Sequence, residues 1–174
     1  MSFSPRVLFL VHPEADYGES LLLLGLVDLL GPDRVRVYPH KPTYFGAEIA
    51  TYTPGSVPHL PSHVGATARD PWFKPIRGSG LSEDEVIQGL RDRAYDLVIW
   101  GSLRKGVQAT WDFFRALRLP MPPVIITDHE DHDVVYLSAA QDNRARLFFK
   151  RELMRPFQQD GVDVLPLPFS SAWG

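Results

Sequence analysis

Six consecutive polar residues, Asp128-His129-Glu130-Asp131-His132-Asp133, follow directly on the apolar run Val124-Ile125-Ile126-Thr127. Four carboxylates and two imidazoles held that closely repel one another unless a cation or a proton is shared among them. Three chemistries fit the pattern. Asp128, His129 and His132 supply the oxygen and nitrogen donors of a divalent-metal site, with the remaining ligands drawn from elsewhere in the chain. A carboxylate such as Asp128 or Glu130 serves as a general acid or base, its proton affinity set by its neighbours. The third reading is structural: a solvated acidic loop in which an aspartate caps a helix.

Other candidates lie at the ends of other apolar runs. Gly101-Ser102-Leu103-Arg104-Lys105-Gly106 offers backbone amides at a helix start, with Ser102, Arg104 and Lys105 placed to hold an anion. It carries neither the glycine spacing of a dinucleotide fingerprint nor the Lys-Ser/Thr of a phosphate-binding P-loop. His12 and Glu14 follow the first apolar run and would face the acidic cluster, with Asp131 as a further ligand contact. Lys150 and Arg151 follow Leu147-Phe148-Phe149; one of them would either bind substrate or pair internally with an acid near 128–133 and relieve the repulsion there. Ser102, Ser170 and Ser171 show no nucleophile-elbow pattern, which argues against serine-hydrolase chemistry.

The elements that must position these residues can be read from hydrophobic period and stop signals. Arg6–Val11 suits a central strand ended by Pro13, and Glu19–Leu30 is an almost wholly apolar helix, expected to be buried on most of its surface, with Gly31-Pro32 as its stop. Arg34–Tyr38 alternates as a strand nearer an edge. Ser82 with Glu85 has capping-box spacing ahead of a helical face of Val86, Leu90 and Ala94. Asp96–Trp100 is a strand, and Val107, Trp111, Phe114 and Leu117 mark one stripe of a helix over about Lys105–Arg118. Val134–Asn143 fits a short helix or a strand, Arg146–Leu153 would, if extended, turn alternate side chains to opposite sides, and Val162–Leu167 is the last strand. Residues 40–80, with repeated Pro and Gly and no sustained period, form a long irregular excursion; Tyr44, Phe45, Tyr52, Trp72 and Phe73 argue against a plain disordered linker. Alternating strands and helices predict one α/β domain over 1–174, built on a mostly parallel, doubly wound sheet of about five strands. In a flavodoxin-type strand order, ligands sit beyond the carboxyl ends of strands one and three, where His12, Ser102 and Asp128 would gather.

Composition narrows the function classes. A length of 174 residues and a net charge of -3 fit a single soluble domain with no reason to expect nucleic acid or an anionic membrane as partner. The absence of cysteine removes disulfides, thiolate metal sites and cysteine nucleophiles. Met1–Val11 lacks signal-peptide features and no apolar run approaches membrane-spanning length, so a cytoplasmic protein is expected.

Several segments together carry a resemblance. Asp16-Tyr17 ahead of the Leu-rich helix, Val37-Tyr38-Pro39, Tyr95–Ile99, Thr127–Asp131, Phe148-Phe149-Lys150-Arg151-Glu152-Leu153 and Leu165–Ser170 resemble the N-terminal half of a group of bacterial glycosyltransferase-like proteins. Ser20, Leu24 and His129 stand where that group's pattern carries an acidic residue, a histidine and a glycine. The resemblance implies a three-layer Rossmann-like domain of GT-B type that holds a sugar, nucleotide-sugar or acceptor, with Asp128 or Glu130 as base toward an acceptor hydroxyl. Two other readings stand beside it: a non-catalytic interaction or homo-oligomerisation domain using the aromatic segment from Tyr44 to Phe73, and a small metal-dependent hydrolase built on the Asp/His cluster.

Overall fold

The computed structural model describes residues 4–12, 17–40, 80–103, 105–129, 134–151, 153 and 155–167, with the backbone alone at 17, 20 and 105. The elements are β1 (Val7–Leu10), α1 (Tyr17–Leu30), β2 (Val35–Tyr38), α2 (Glu83–Arg91), β3 (Leu97–Trp100), α3 (Lys105–Ala116), β4 (Val124–Asp128), α4 (Leu137–Asp142), β5 (Leu147–Lys150), β6 (Phe157–Gln159) and β7 (Val162–Pro166). The segment 41–79, most of the irregular excursion, lies outside the described residues.

One sheet runs β2-β1-β3-β4-β5-β7-β6, parallel throughout except for the antiparallel β6–β7 pair. From β1 the chain goes to β2 on one side, while β3 lies on the other. The winding direction therefore reverses between β1 and β3, and the carboxyl ends of such a pair are where open α/β sheets place their ligand crevice. The sheet has seven strands where the hydrophobic runs predict about five. The additional ones are explicable: β5 is the stretch read only as extended, and Phe157-Gln158-Gln159 in β6 is exposed at all three positions and so leaves no apolar signature.

Side-chain alternation along the strands divides the core in two. Val7, Phe9, Val35, Val37 and Ile99 face α1, packing against Leu22, Leu23, Leu26, Val27 and Leu30. Leu8, Leu10, Val98, Trp100, Val124, Ile126 and Phe148 face the other way, onto Val86 and Leu90 of α2, Val107, Trp111 and Phe114 of α3, and Ala140 of α4. Each such large side chain fully removed from water contributes on the order of 1.5–3 kcal/mol. The near-continuous apolar strands of the sequence are thus strands covered on both faces.

Helix ends follow the predicted chemistry. At α2, Ser82 Oγ accepts from the Glu85 N–H at 3.3 Å while Glu85 Oε2 accepts from the Ser82 N–H at 2.8 Å, a complete capping box. Beyond α1, Gly31 takes φ +89° and its N–H donates to Val27 O at 2.9 Å, a left-handed C-terminal cap that a Cβ would strain. One expectation fails. The apolar helix α1 is not buried on most of its surface: Leu29 is 78% exposed and Leu21 37%. A helix laid on a sheet buries one stripe, and among the described residues no second helix packs into the α1-side core.

Among the described residues no helix is long and apolar enough to cross a membrane.

Candidate functional site

The crevice is built where β1, β3 and β4 end. Leu10 O accepts from the Gly101 N–H at 2.8 Å and Tyr38 O from the Val11 N–H at 2.9 Å, which holds the three strand exits of β1, β2 and β3 together. The first turn of α1 carries Glu19, fully buried, whose Oε2 accepts from the His12 N–H at 2.8 Å. That bond ties the chain leaving β1 to the helix that follows it. Gly101 is required beneath it: a Cβ there would lie 2.6 Å from Glu19 Cγ and 2.8 Å from Phe9 Cε1, well inside contact distance.

His129 closes the crevice from the β4 side. A Cβ on Gly18 would lie 2.5 Å from His129 Nδ1 and 2.7 Å from its Cγ, so the imidazole lies against the first turn of α1 in space only glycine leaves. On its other edge, His129 Nε2 is 3.3 Å from Thr127 Oγ1, and Thr127 Oγ1 donates to the Trp100 carbonyl at 2.7 Å. A threonine hydroxyl has one proton. With that proton committed to Trp100, Thr127 accepts from Nε2–H, so neutral His129 is assigned the Nε2–H tautomer with its lone pair at Nδ1. His12, Gly18, Glu19, Gly101, Thr127 and His129 thus form one cluster linking β1, α1, β3 and β4. Its two histidines are partly exposed, while Glu19 and Thr127 are buried.

Asp128 takes no part in that cluster. Neighbouring residues of a strand point to opposite faces, so Asp128 lies on the side of α2, α3 and α4, together with Trp100 and Phe148. It pairs in register with Lys150 across β4 and β5, and Lys150 Nζ stands 3.2 Å from Asp128 Oδ2 with both side chains fully buried. The internal ion pair foreseen as one role of the 150–151 cations is therefore formed by Lys150. Arg151 contributes its N–H to the Asp128 carbonyl at 3.0 Å, and the Lys150 carbonyl accepts from Leu167 N–H at 2.9 Å. The pair is sealed within backbone bonds between β4, β5 and β7.

Ser102 is buried at the β3 exit, and among the described residues its Oγ has no hydrogen-bond partner. The same holds for the indole N–H groups of Trp100 and Trp111, whose rings meet edge to face at 6.2 Å. Glu14, Arg104, Glu130, Asp131 and His132 lie outside the described residues, as does the Lys105 side chain. Among the described residues no group of three His, Cys, Asp or Glu is arranged to hold a metal ion.

The structure places His12, Ser102, Asp128 and His129 at the carboxyl ends of the strands, and adds Glu19, Thr127 and the packing of Gly18, which no sequence pattern singles out. What the sequence does offer for Glu19 is weaker: it is a single charge at the start of a helix whose next residues are Ser20 and four leucines.

No family model matches the chain, and no curated protein or solved structure matches it either.

Proposed function

We propose that this chain is a Rossmann-like domain with flavodoxin-type core strand order, glycosyltransferase-like in kind, that binds a hydroxylated small molecule such as a sugar or acceptor in the crevice between β1, β3 and β4. The observation that carries this reading is the cluster around Glu19, Thr127 and His129: buried groups spend their hydrogen bonds on the His12 backbone and on the His129 imidazole, both at a topological switch point. Hydroxyl groups of a ligand both donate to and accept from such an imidazole. Glu130 and Asp131, next in sequence, add carboxylates of the kind sugars meet, and in a transfer reaction Glu130 would take the acceptor proton. Asp128 is read as an anchor of the strand ends through Lys150.

The test is titration of the full chain with a panel of free sugars and nucleotide-sugars, followed by amide shifts in NMR spectra. Binding that perturbs Gly18, Gly101 and His129, and is lost in His12→Ala and His129→Ala variants of unchanged melting temperature, is the expected result. Equal binding by those variants would sink it.

The oligomerisation reading keeps one observation of its own, the exposed Leu21 and Leu29 on an apolar helix. A dimer in light scattering that Leu29→Glu converts to monomer would favour it. The metal-dependent alternative requires near-stoichiometric zinc or manganese binding in calorimetry that is lost in Asp128→Ala/His132→Ala.

A further inference from the structure

We infer that the turn from β3 into α3 seats a phosphoryl group, held by Ser102 Oγ and the first amides of α3, so that the hydroxylated ligand of the crevice is a phosphorylated one. The inference rests on the crevice reading for the hydroxylated part of that ligand and on separate observations for its phosphoryl end. Ser102 is 2% exposed, and among the described residues its Oγ has no hydrogen-bond partner. Buried hydroxyls in folded proteins are almost always hydrogen-bonded, so one without a partner marks a place where a group from outside the chain completes the set. Its neighbours give its direction. Trp100 belongs to the core under α3, and Gly101 turns the other way, where a Cβ would meet Glu19 and Phe9; Ser102 therefore returns to the α3 side, where Leu103 follows it as the chain enters the helix. A ring contact gives its depth. From Ser102 back to Trp100 is two strand residues, roughly 6.6 Å, and from Val107 on to Trp111 is four helical residues, roughly 6 Å. As a crossover helix α3 runs back against β3, and the Trp100 and Trp111 rings meet at 6.2 Å, so Ser102 and Val107 lie at one level.

The first turn of α3 supplies the matching donors. In a helix that starts at Lys105, the N–H groups of Lys105, Gly106 and Val107 have no acceptor inside the helix. Val107 is wholly buried, so bulk water does not reach its N–H, and Gly106 has no side chain to keep a ligand from the backbone. α3 carries no acidic residue in its first turn, so no carboxylate of its own competes for these donors or offsets the positive end of the helix, worth roughly half a charge. The Asp128–Lys150 pair on the same face has its two charges 3.2 Å apart and no net charge to repel an anion. One hydroxyl and two amides at one level match the three outer oxygens of a phosphoryl group, one more than a carboxylate presents. Ser102 Oγ is closed to bulk water, so a phosphoryl oxygen reaches it with a movement of the turn, and binding registers at the turn's own amides.

The experiment titrates the full chain at about pH 8, where a phosphoryl group carries close to two negative charges and unperturbed imidazoles are neutral. Inorganic phosphate and, separately, acetate are added while amide shifts are followed by NMR. Phosphate should give saturable shifts at Ser102, Gly106 and Val107 in the millimolar range, and acetate none. Ser102→Ala, which removes the buried hydroxyl and leaves the packing, should bind phosphate at least roughly tenfold more weakly at an unlowered melting temperature. No saturable phosphate shift at these amides in wild type overturns the inference, whether or not the variant folds. So do equal phosphate binding by folded Ser102→Ala and saturation of the same amides by acetate as tightly as by phosphate. A parallel titration with free sugars keeps the two readings apart: its failure counts against the hydroxylated-ligand crevice, while the phosphate arm still decides the seat at α3.

Discussion

Thr127 and Asp128 are adjacent in the chain and belong to different regions of the molecule. Thr127 sits on the α1 face, relaying between the Trp100 carbonyl and His129. Asp128 sits on the opposite face in a sealed ion pair with Lys150. On the first face the buried groups serve partly exposed ones, and the hydrogen bonds lead outward to the crevice. On the second both charges are fully buried and set against each other at 3.2 Å, a charge–charge contact without hydrogen-bond geometry at Asp128 Oδ2 among the described residues. A polar run that looks like one site in sequence is divided by strand alternation into a buried ion pair and a partly exposed cluster at the strand exits.

The sharpest way to break this contrast is to remove one charge of the anchor. Lys150→Met removes the cation set against the buried Asp128 and should cost about 3–5 kcal/mol in denaturant unfolding. Combining it with Asp128→Leu should recover more than half of that loss. If the single variant were nearly neutral, the pair would not be an anchor.

On the crevice side the largest effect falls on packing. Gly101→Ala drives a methyl into Glu19 Cγ and the buried Phe9 ring, neither of which is the loose end of a flexible side chain, and should cost about 1–3 kcal/mol. Thr127→Val preserves the shape, removes the hydroxyl, and should cost about 1–2 kcal/mol. Its distinguishing readout is the His129 tautomer: long-range proton–nitrogen NMR should show Nε2–H in wild type and a mixture in the variant. An unchanged tautomer would show that Thr127 does not set it.

The smallest effect lies away from both regions, at the acid end of the pH range. Glu85 is held below its ordinary carboxylate value chiefly by the Ser82 N–H, and Asp96 chiefly by the Arg6 N–H at 2.8 Å. Depressed acids contribute stability that is complete above their unfolded values, 4.5 and 3.8, and lost as pH falls through the lower folded values. Ser82→Ala, which removes the hydroxyl and keeps the N–H, should cost about 1 kcal/mol at neutral pH and flatten the fall in stability below about pH 4.5 only in part. A parallel offset with the same acid limb would mean that the Ser82 hydroxyl does not couple to Glu85.

Much of this architecture is legible in the residues themselves. Runs such as Val7–Leu10 and Val124–Ile126 announce doubly covered strands because both faces demand apolar side chains, and the Ser82–Glu85 spacing announces a helix start because two backbone donors need those partners. The site is only partly legible. Proximity in sequence suggested that Asp128 and His129 act together, whereas period-two alternation places Asp128 with Thr127's opposite face. Glu19 could not be linked to His12 or Gly101 by any local pattern, since the link depends on the order β2-β1-β3, a long-range choice. The edge strand β6 was invisible because its three residues bury nothing.

The one-peptide boundary between anchor and crevice bears on how such a domain can change over time. On the proposed function, point substitutions at His12, Thr127 or His129 would alter what the crevice accepts while Asp128 and Lys150 keep the strand ends in place. A single-residue insertion or deletion within Val124–Thr127 would instead turn every later side chain of β4 to the other face. It would press the aspartate toward α1 and the threonine toward Lys150, losing both functions in one step. New ligand preferences are thus reachable by replacement in this strand and closed to changes of length.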